Sequence, residues 1–262
     1  PSEPTFTIRG GVSGGPSDTL RRHTIRSINC AFLRLSQIVG LNRMVDTVYR
    51  MAANPYLDRD QPASQRRPIE PHASFATGAN ELSTLDMAAG IQTIANEGVH
   101  MEPYYVEYID NADGERIYTH HDPGTRVLSR DVALTTIDVL KGVLTEGTAR
   151  RELADFAAVR PAFGKTGTQM NNWTAFFVGA TPALSTAVLV RDPDRYTEMN
   201  GIPEFLAAGV DEVQGGTFPA RIWGAFMENV GLESGIADWP APPAPPRGPA
   251  RLYLPGNECL YQ

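Results

Sequence analysis

Five consecutive residues, Gly164 to Thr168, carry the side chains of this sequence that are best suited to acyl chemistry. Lys165 supplies a positive charge, and the hydroxyls of Thr166 and Thr168 can bond a carboxylate. Gly167 has no side chain, so a substrate can approach the backbone closely. The stretch therefore favours a site for an acyl substrate that bears a carboxylate.

The residues around this stretch predict its secondary structure. An apolar run from Trp173 to Ala180 is typical of a buried strand, and a second run, Leu184 to Val190, follows the turn signal Thr181-Pro182. We therefore expect Lys165 on an extended edge that leads into a hairpin. A phosphate-binding loop is excluded, because such a loop opens a helix and needs a glycine where Val159 stands.

A second candidate is Ser27-Ile28-Asn29, at the head of a predicted helix from Asn29 to Val39. Two interpretations stay open. Ser27 and Asn29 are both residue types that favour helix starts, so they could form an N-terminal cap. Alternatively, the Ser27 hydroxyl relays a proton between lysines while the Asn29 amide holds a substrate carbonyl.

Composition limits the class of protein. The 262 residues, 42% of them hydrophobic and 20% charged, suit one large domain with a core. A net charge of −7 without a basic patch argues against a nucleic-acid partner. No apolar run reaches the length of a membrane span. Cys30 and Cys259 lack metal-ligand spacing, and we expect a buried thiol and a tail thiol rather than a bridge.

The pattern predicts an irregular segment at 1–17, a main domain at 18–239 and a proline-rich tail at 240–262. Asp18 is expected to cap a first helix start, and 52–80 and 191–216 are expected to be loops. Further helices are predicted at 41–51, from Ser83 or Thr84 to Ala95, at 131–144 and at 218–230. An exposed β segment is predicted at 98–130. Its strands, at 104–109 and 116–118, flank the hairpin signal Asp113-Gly114.

Ser-x-Asn followed by Lys-Thr-Gly resembles the signature of penicillin-binding proteins and class A β-lactamases. Longer segments are also similar to this family, at 27–41, 78–88, 96–99, 143–148 and 215–227. The likeness covers residues 18–230. It is greatest to the transpeptidase domain of a class A, bifunctional penicillin-binding protein of actinobacterial type.

This resemblance implies a peptidoglycan D,D-transpeptidase with an α+β fold, an antiparallel sheet flanked by helices. It implies catalytic roles for Ser27, Asn29 and Lys165, and substrate binding by Thr166, Gly167 and Thr168. The backbone N–H of Thr168 would belong to the oxyanion hole. The implied partners are D-Ala-D-Ala stem peptides and, in the complete enzyme, β-lactams that acylate the nucleophile. Neither a metal nor an organic cofactor is implied. A membrane anchor is expected upstream, with the domain on the extracytoplasmic face of the membrane.

One departure from the family pattern concerns the nucleophile. The family uses the serine of Ser-x-x-Lys, but Asp138 stands three residues before Lys141, and Ala162 three before Lys165. These are the only two lysines in the chain. We favour the C-terminal portion of a normal enzyme over a complete non-catalytic scaffold, because the chain begins with Pro1. A serine β-lactamase-like hydrolase is a further alternative. Two of the five strands of the family sheet are expected to be missing, which exposes an unpaired edge and predicts marginal solubility.

Several other side chains are expected to be structural. His100, His120 and His121 are predicted to lie at the surface. Trp173 is predicted to pack in the core rather than line a cleft. Glu81 is interpreted as a charge at a helix entry.

Overall fold

The structure is a computed structural model, and it describes residues 18–52, 68–230 and 236–244. The helices are α1 (Leu20–Ile25), α2 (Asn29–Val39), α3 (Leu41–Met51), α4 (Thr84–Ala95), α5 (Arg130–Thr145), α6 (Arg150–Val159), α7 (Pro203–Ala207) and α8 (Phe218–Asn229). The strands are β1 (Val99–His100), β2 (Tyr108–Asp110), β3 (Arg116–Thr119), β4 (Thr125–Arg126), β5 (Phe163–Thr168), β6 (Thr174–Ala180) and β7 (Ser185–Arg191). The predicted α+β organisation, with an antiparallel sheet flanked by helices, is confirmed.

The central sheet is a meander of β5, β6 and β7 in that order. Lys165 lies opposite Val178, and Thr166 lies opposite Phe177. Directly opposed residues share a face of the sheet, so the Lys165 and Thr166 side chains leave β5 on opposite faces. Among the described residues, β5 and β7 each pair on one side only, which leaves β5 as an edge strand carrying the Lys-Thr-Gly segment.

Helices cover both faces of this sheet. Helix α5 packs against β5, while α4 and α8 pack against β6 and β7. Trp223 of α8 is fully buried and meets Phe177 edge to face, with ring centroids 5.3 Å apart. On the other face Phe163 meets Trp239 at 5.1 Å in the same manner. Aromatic burial of this kind holds β5 between two packed layers, so the strand presents Lys165 from a rigid base.

The sequence predicted the start of α4 correctly, but it predicted the wrong cap residue for α1. Ser83 caps α4, as one of the two predicted cap residues, and it does so through a reciprocal capping box with Asp86. Helix α1 is capped by the Thr19 side chain and not by Asp18, whose carboxylate instead accepts a bond from the Thr19 N–H. Sequence reasoning missed α6, which buries only Leu153 and Phe156 and therefore has a weak apolar stripe.

Four further structural predictions are wrong. The predicted loop 191–216 contains the short helix α7, which starts with a proline in its first turn. Cys30 is disulfide-bonded, and the chain's other cysteine, Cys259, lies outside the described residues, as do segment 1–17 and most of the tail. His100 is buried, because the Thr93 hydroxyl lies 2.9 Å from its Nδ1 and gives the ring a polar partner. Trp173 is only half-buried and packs against the exposed Tyr196 rather than in the core.

Candidate active site

The centre of the site is a contact between two side chains 138 residues apart in sequence. The Lys165 ammonium lies 2.6 Å from Ser27 Oγ and donates to it, and it also donates to the carbonyl oxygen of Thr166 at 2.9 Å. The structure therefore brings together the two motifs singled out from the sequence. Their catalytic roles stay a prediction.

Ser27 lies in a tight turn between α1 and α2. Its N–H donates to the Thr24 carbonyl, and the next N–H, of Ile28, donates to the His23 carbonyl. The turn forces Ser27 to a φ of 56°, which is left-handed and unusual for a residue with a side chain. Helix α2 begins at Asn29 with Ile28 as its cap residue and no side-chain capping bond, so Ser27 does not act as a helix cap.

Because of this strain, we expect Ser27→Gly to be more stable than Ser27→Ala by about 1 kcal/mol. Both variants lose the hydroxyl, but only glycine adopts a positive φ without steric cost. Urea unfolding of the two variants measures the difference. Equal stabilities would show that the turn relaxes and that Ser27 is not held in a strained conformation.

Lys165 sits in an environment that disfavours its charge. Desolvation lowers the pKa of its ammonium from 10.5 to about 8. No carboxylate of the described residues forms an ion pair with it. An amine with a pKa near 8 exchanges its proton readily close to neutral pH, which suits a group that passes a proton to a neighbouring hydroxyl.

The lowered pKa carries a cost in stability with a definite pH dependence. Unfolded Lys165 binds its proton up to pH 10.5 and folded Lys165 only up to about pH 8, so the unfolding free energy rises with pH between those values. Below pH 8 the buried charge costs about 3 kcal/mol. We therefore expect Lys165→Met to be more stable than the native chain at pH 7, with the advantage gone above pH 10.5. Urea unfolding at both pH values tests this, and an advantage independent of pH would contradict it.

The two threonines of the segment lie on the face of β5 away from Lys165. Thr166 is half-buried, with its Oγ1 2.6 Å from Thr148 Oγ1. Thr168 is exposed, and its Oγ1 accepts a bond from the Gly215 N–H at 3.1 Å. Gly167 between them is also exposed. Of the predicted substrate-binding residues, Gly167 and Thr168 are thus open to solvent, whereas the Thr166 hydroxyl is held by a neighbouring loop.

The loop that carries Thr148 packs closely at Gly147 and against Gly216, and this packing sets the distance between the Ser27 turn and β5. A Cβ on Gly147 would lie 2.5 Å from the Ile25 carbonyl oxygen, next to the turn that carries Ser27. A Cβ on Gly216 would lie 2.1 Å from the Thr148 carbonyl oxygen. The loop 146–148 is therefore packed between the Ser27 turn and β5. Gly147, Thr148 and Gly216 lie in segments that resemble the family, at 143–148 and 215–227. Nothing in their spacing predicted that they would set the distance between the Ser27 turn and β5.

Asn29 completes the set of sequence candidates. It is the first residue of α2, two residues after Ser27, and it is half-buried. It is therefore close in sequence to the Ser27–Lys165 contact, and its role in holding a substrate carbonyl stays a prediction. Among the described residues, no group of three or more His, Cys, Asp or Glu side chains could hold a metal ion.

Comparison with known proteins decides the family. Residues 6–202 match the model of the penicillin binding protein transpeptidase domain. The chain belongs to this family. It is 31% identical over 174 residues to penicillin-binding protein 1A of Aquifex aeolicus, covering 66% of this chain and 22% of that protein. It is 27% identical over 201 residues to penicillin-binding protein 1A of Mycolicibacterium smegmatis, covering 68% and 24%.

The fold of this penicillin-binding transpeptidase domain is also found in solved structures. It matches the PonA1 protein from Mycobacterium tuberculosis in complex with penicillin V with a TM-score of 0.70. That match has 21% sequence identity and covers 87% of this chain and 62% of that one. The prediction of a class A type transpeptidase domain is confirmed, and the chain spans about a quarter of the length of the curated relatives it matches.

Proposed function

We propose that this chain supplies the Ser27–Lys165 relay and the carboxylate-binding strand of a peptidoglycan D,D-transpeptidase. The 2.6 Å contact between Lys165 Nζ and Ser27 Oγ carries the proposal, because it joins a proton reservoir to a hydroxyl at the open edge of β5. The substrate class is a stem peptide that ends in D-Ala-D-Ala. Its terminal carboxylate would bind beside Thr168 and Gly167, with Thr166 supporting the strand.

The reaction is an acyl transfer in two steps. The serine of a Ser-x-x-Lys motif attacks the penultimate D-Ala carbonyl, and the peptide bond to the terminal D-Ala breaks. The hydroxyl proton of the nucleophile passes to the lysine of its own Ser-x-x-Lys motif. The Ser27 hydroxyl donates its proton to the leaving nitrogen and regains one from the Lys165 ammonium. The Thr168 N–H, together with that of the nucleophile, would stabilise the oxyanion by a few kcal/mol. An amine of a second stem peptide then attacks the ester carbonyl, and its proton returns through Ser27 to Lys165. The ester bond breaks, and the serine oxygen takes back the proton held by the lysine of its motif.

The nucleophile is proposed to come from outside residues 1–262. Neither Lys141 nor Lys165 has a serine three residues before it, so we expect this chain alone to form no acyl-enzyme. β-Lactams would acylate only the complete enzyme. We further propose that the complete protein carries a membrane anchor upstream and works on the extracytoplasmic face. No helix of the described residues is long and apolar enough to span a bilayer.

A fluorescent penicillin tests the proposal on the full-length gene product and on this chain in parallel. We expect a stable covalent adduct on the full-length protein, at a serine upstream of Ser27, and none on this chain. Rapid turnover of nitrocefin by the full-length protein would instead indicate a β-lactamase. No adduct on the full-length protein, together with no upstream Ser-x-x-Lys in frame, would indicate a non-catalytic scaffold.

A further inference from the structure

Strands β2 and β3 form a hairpin that packs mainly on itself. We call residues 102–122 the hairpin arm; β1 and β4 pair at its base. Every arm residue is exposed except Asn111, His120 and Asp122, which are half-buried. An isolated two-stranded hairpin is marginally stable in water, because it has no third element on which to bury its side chains.

Apolar and aromatic side chains are concentrated on this arm. Tyr105 is 90% exposed and Ile117 is 61% exposed. About half of the surface of five more residues is exposed, at Tyr104, Val106, Tyr108, Ile109 and Tyr118. Exposed apolar side chains gathered on one short hairpin are a feature of interaction sites.

The arm is strongly acidic for its length. It holds six carboxylates, at Glu102, Glu107, Asp110, Asp113, Glu115 and Asp122, against one guanidinium, at Arg116. Its net charge is therefore −5, of the −7 of the whole chain. Arg116 interacts within the arm, because it pairs with Asp110 and its guanidinium lies 3.5 Å above the Tyr108 ring.

Both strands of the arm have open edges. β2 and β3 form a two-stranded sheet, so neither outer edge is paired with a described residue. The His120 N–H donates to the Glu107 carbonyl, and backbone groups alternate in direction along an antiparallel strand. The neighbouring pair, Tyr108 and Thr119, therefore presents its backbone N–H and C=O groups outward, where an added strand would bond them.

We infer that the hairpin arm is a docking site for an extended, positively charged segment of a partner protein, which adds as a third strand. Backbone bonds at the open edge would supply affinity, and alternating basic and apolar side chains would match the carboxylates and the exposed tyrosines. A second copy of this chain is disfavoured as the occupant, because two arms of charge −5 repel each other.

An octapeptide of alternating lysine and valine probes this site. Titrated into the isotope-labelled 262-residue chain, it is expected to shift backbone NMR signals of residues 104–120 only, with affinity that falls as salt rises. Matched peptides distinguish binding through charge from binding through backbone hydrogen bonds. We expect no binding by an alternating glutamate–valine octapeptide, nor by a lysine–valine octapeptide with alternate amides N-methylated.

Protein variants complete the test. We expect the pair Glu107→Gln and Glu115→Gln to weaken binding about three- to tenfold, as for two exposed ion pairs. The matched pair Glu204→Gln and Glu228→Gln, on α7 and α8, is expected to leave binding unchanged. Neither pair should alter the melting temperature, because all four side chains are exposed.

Four results would overturn the inference. The first is peptide-induced shifts outside the arm, and the second is equal binding of the glutamate–valine peptide. The third is binding of a chito-oligosaccharide at Tyr105 with no binding of the lysine–valine peptide. The fourth is self-association of the chain through the arm, seen by analytical ultracentrifugation and lost on deleting it.

Discussion

Replacing Lys165 with methionine in the full-length protein is expected to slow acylation by penicillin about 10²- to 10⁴-fold. The ammonium that contacts Ser27 Oγ at 2.6 Å is lost, and with it the source of the proton that Ser27 would pass on. Lys165→Arg separates charge from proton transfer. It keeps the cation, but a guanidinium holds its proton at any working pH, so we expect the acylation rate to stay low. The measurement is the second-order rate constant of acylation by a fluorescent penicillin.

The chain offers a matched control for this experiment in its only other lysine. Lys141 lies on α5, where its ammonium pairs with Asp238 at 2.6 Å and faces the Trp239 ring. Lys141→Met removes the same chemical group from a position with no contact to Ser27, and we expect the acylation rate to be unchanged. If the two variants lost the same fraction of the acylation rate, the loss could not come from the contact with Ser27. That result would contradict the proposed relay.

Local patterns in the sequence were sufficient for the elements that carry the site. Two apolar runs separated by Thr181-Pro182 placed Lys165 on the strand before a hairpin, because side-chain burial in a β-meander leaves continuous apolar segments. Ser83 or Thr84 predicted the start of α4, because an N-terminal cap depends on a side chain next to the backbone that it bonds. Such features are encoded within a few residues of chain.

Contacts across the fold could not be predicted in this way. Ser27 and Lys165 were paired only through resemblance to a family, since nothing in either motif encodes a neighbour 138 residues away. The pairing of Thr148 with Thr166 was missed for the same reason. His100 was expected at the surface because it lies in the stretch 98–130, which was predicted to be exposed. Thr93 on the preceding helix supplies the hydrogen bond that permits its burial.

Gly215→Ala is expected to lower the unfolding free energy by about 1–3 kcal/mol and to reduce acylation of the full-length protein. Gly215 lies over the cross-strand pair of Gly167 and Phe176. An added Cβ would stand 2.2 Å from the Phe176 carbonyl oxygen and 2.6 Å from that of Gly167. Both are backbone atoms of paired strands and cannot turn away as a side chain could. The loop must therefore withdraw, which breaks the bond from the Gly215 N–H to Thr168 Oγ1.

The same substitution elsewhere in the chain should act in the opposite direction. Gly90 lies within α4, and a Cβ there would meet nothing within 4 Å. Alanine has a higher helix propensity than glycine, so we expect Gly90→Ala to raise the unfolding free energy by up to about 1 kcal/mol. Urea unfolding of both variants at one pH gives the comparison. If Gly215→Ala were as stable as the native chain and acylated at the native rate in the full-length protein, the close packing of this loop on β5 would not be what holds Thr168 in place.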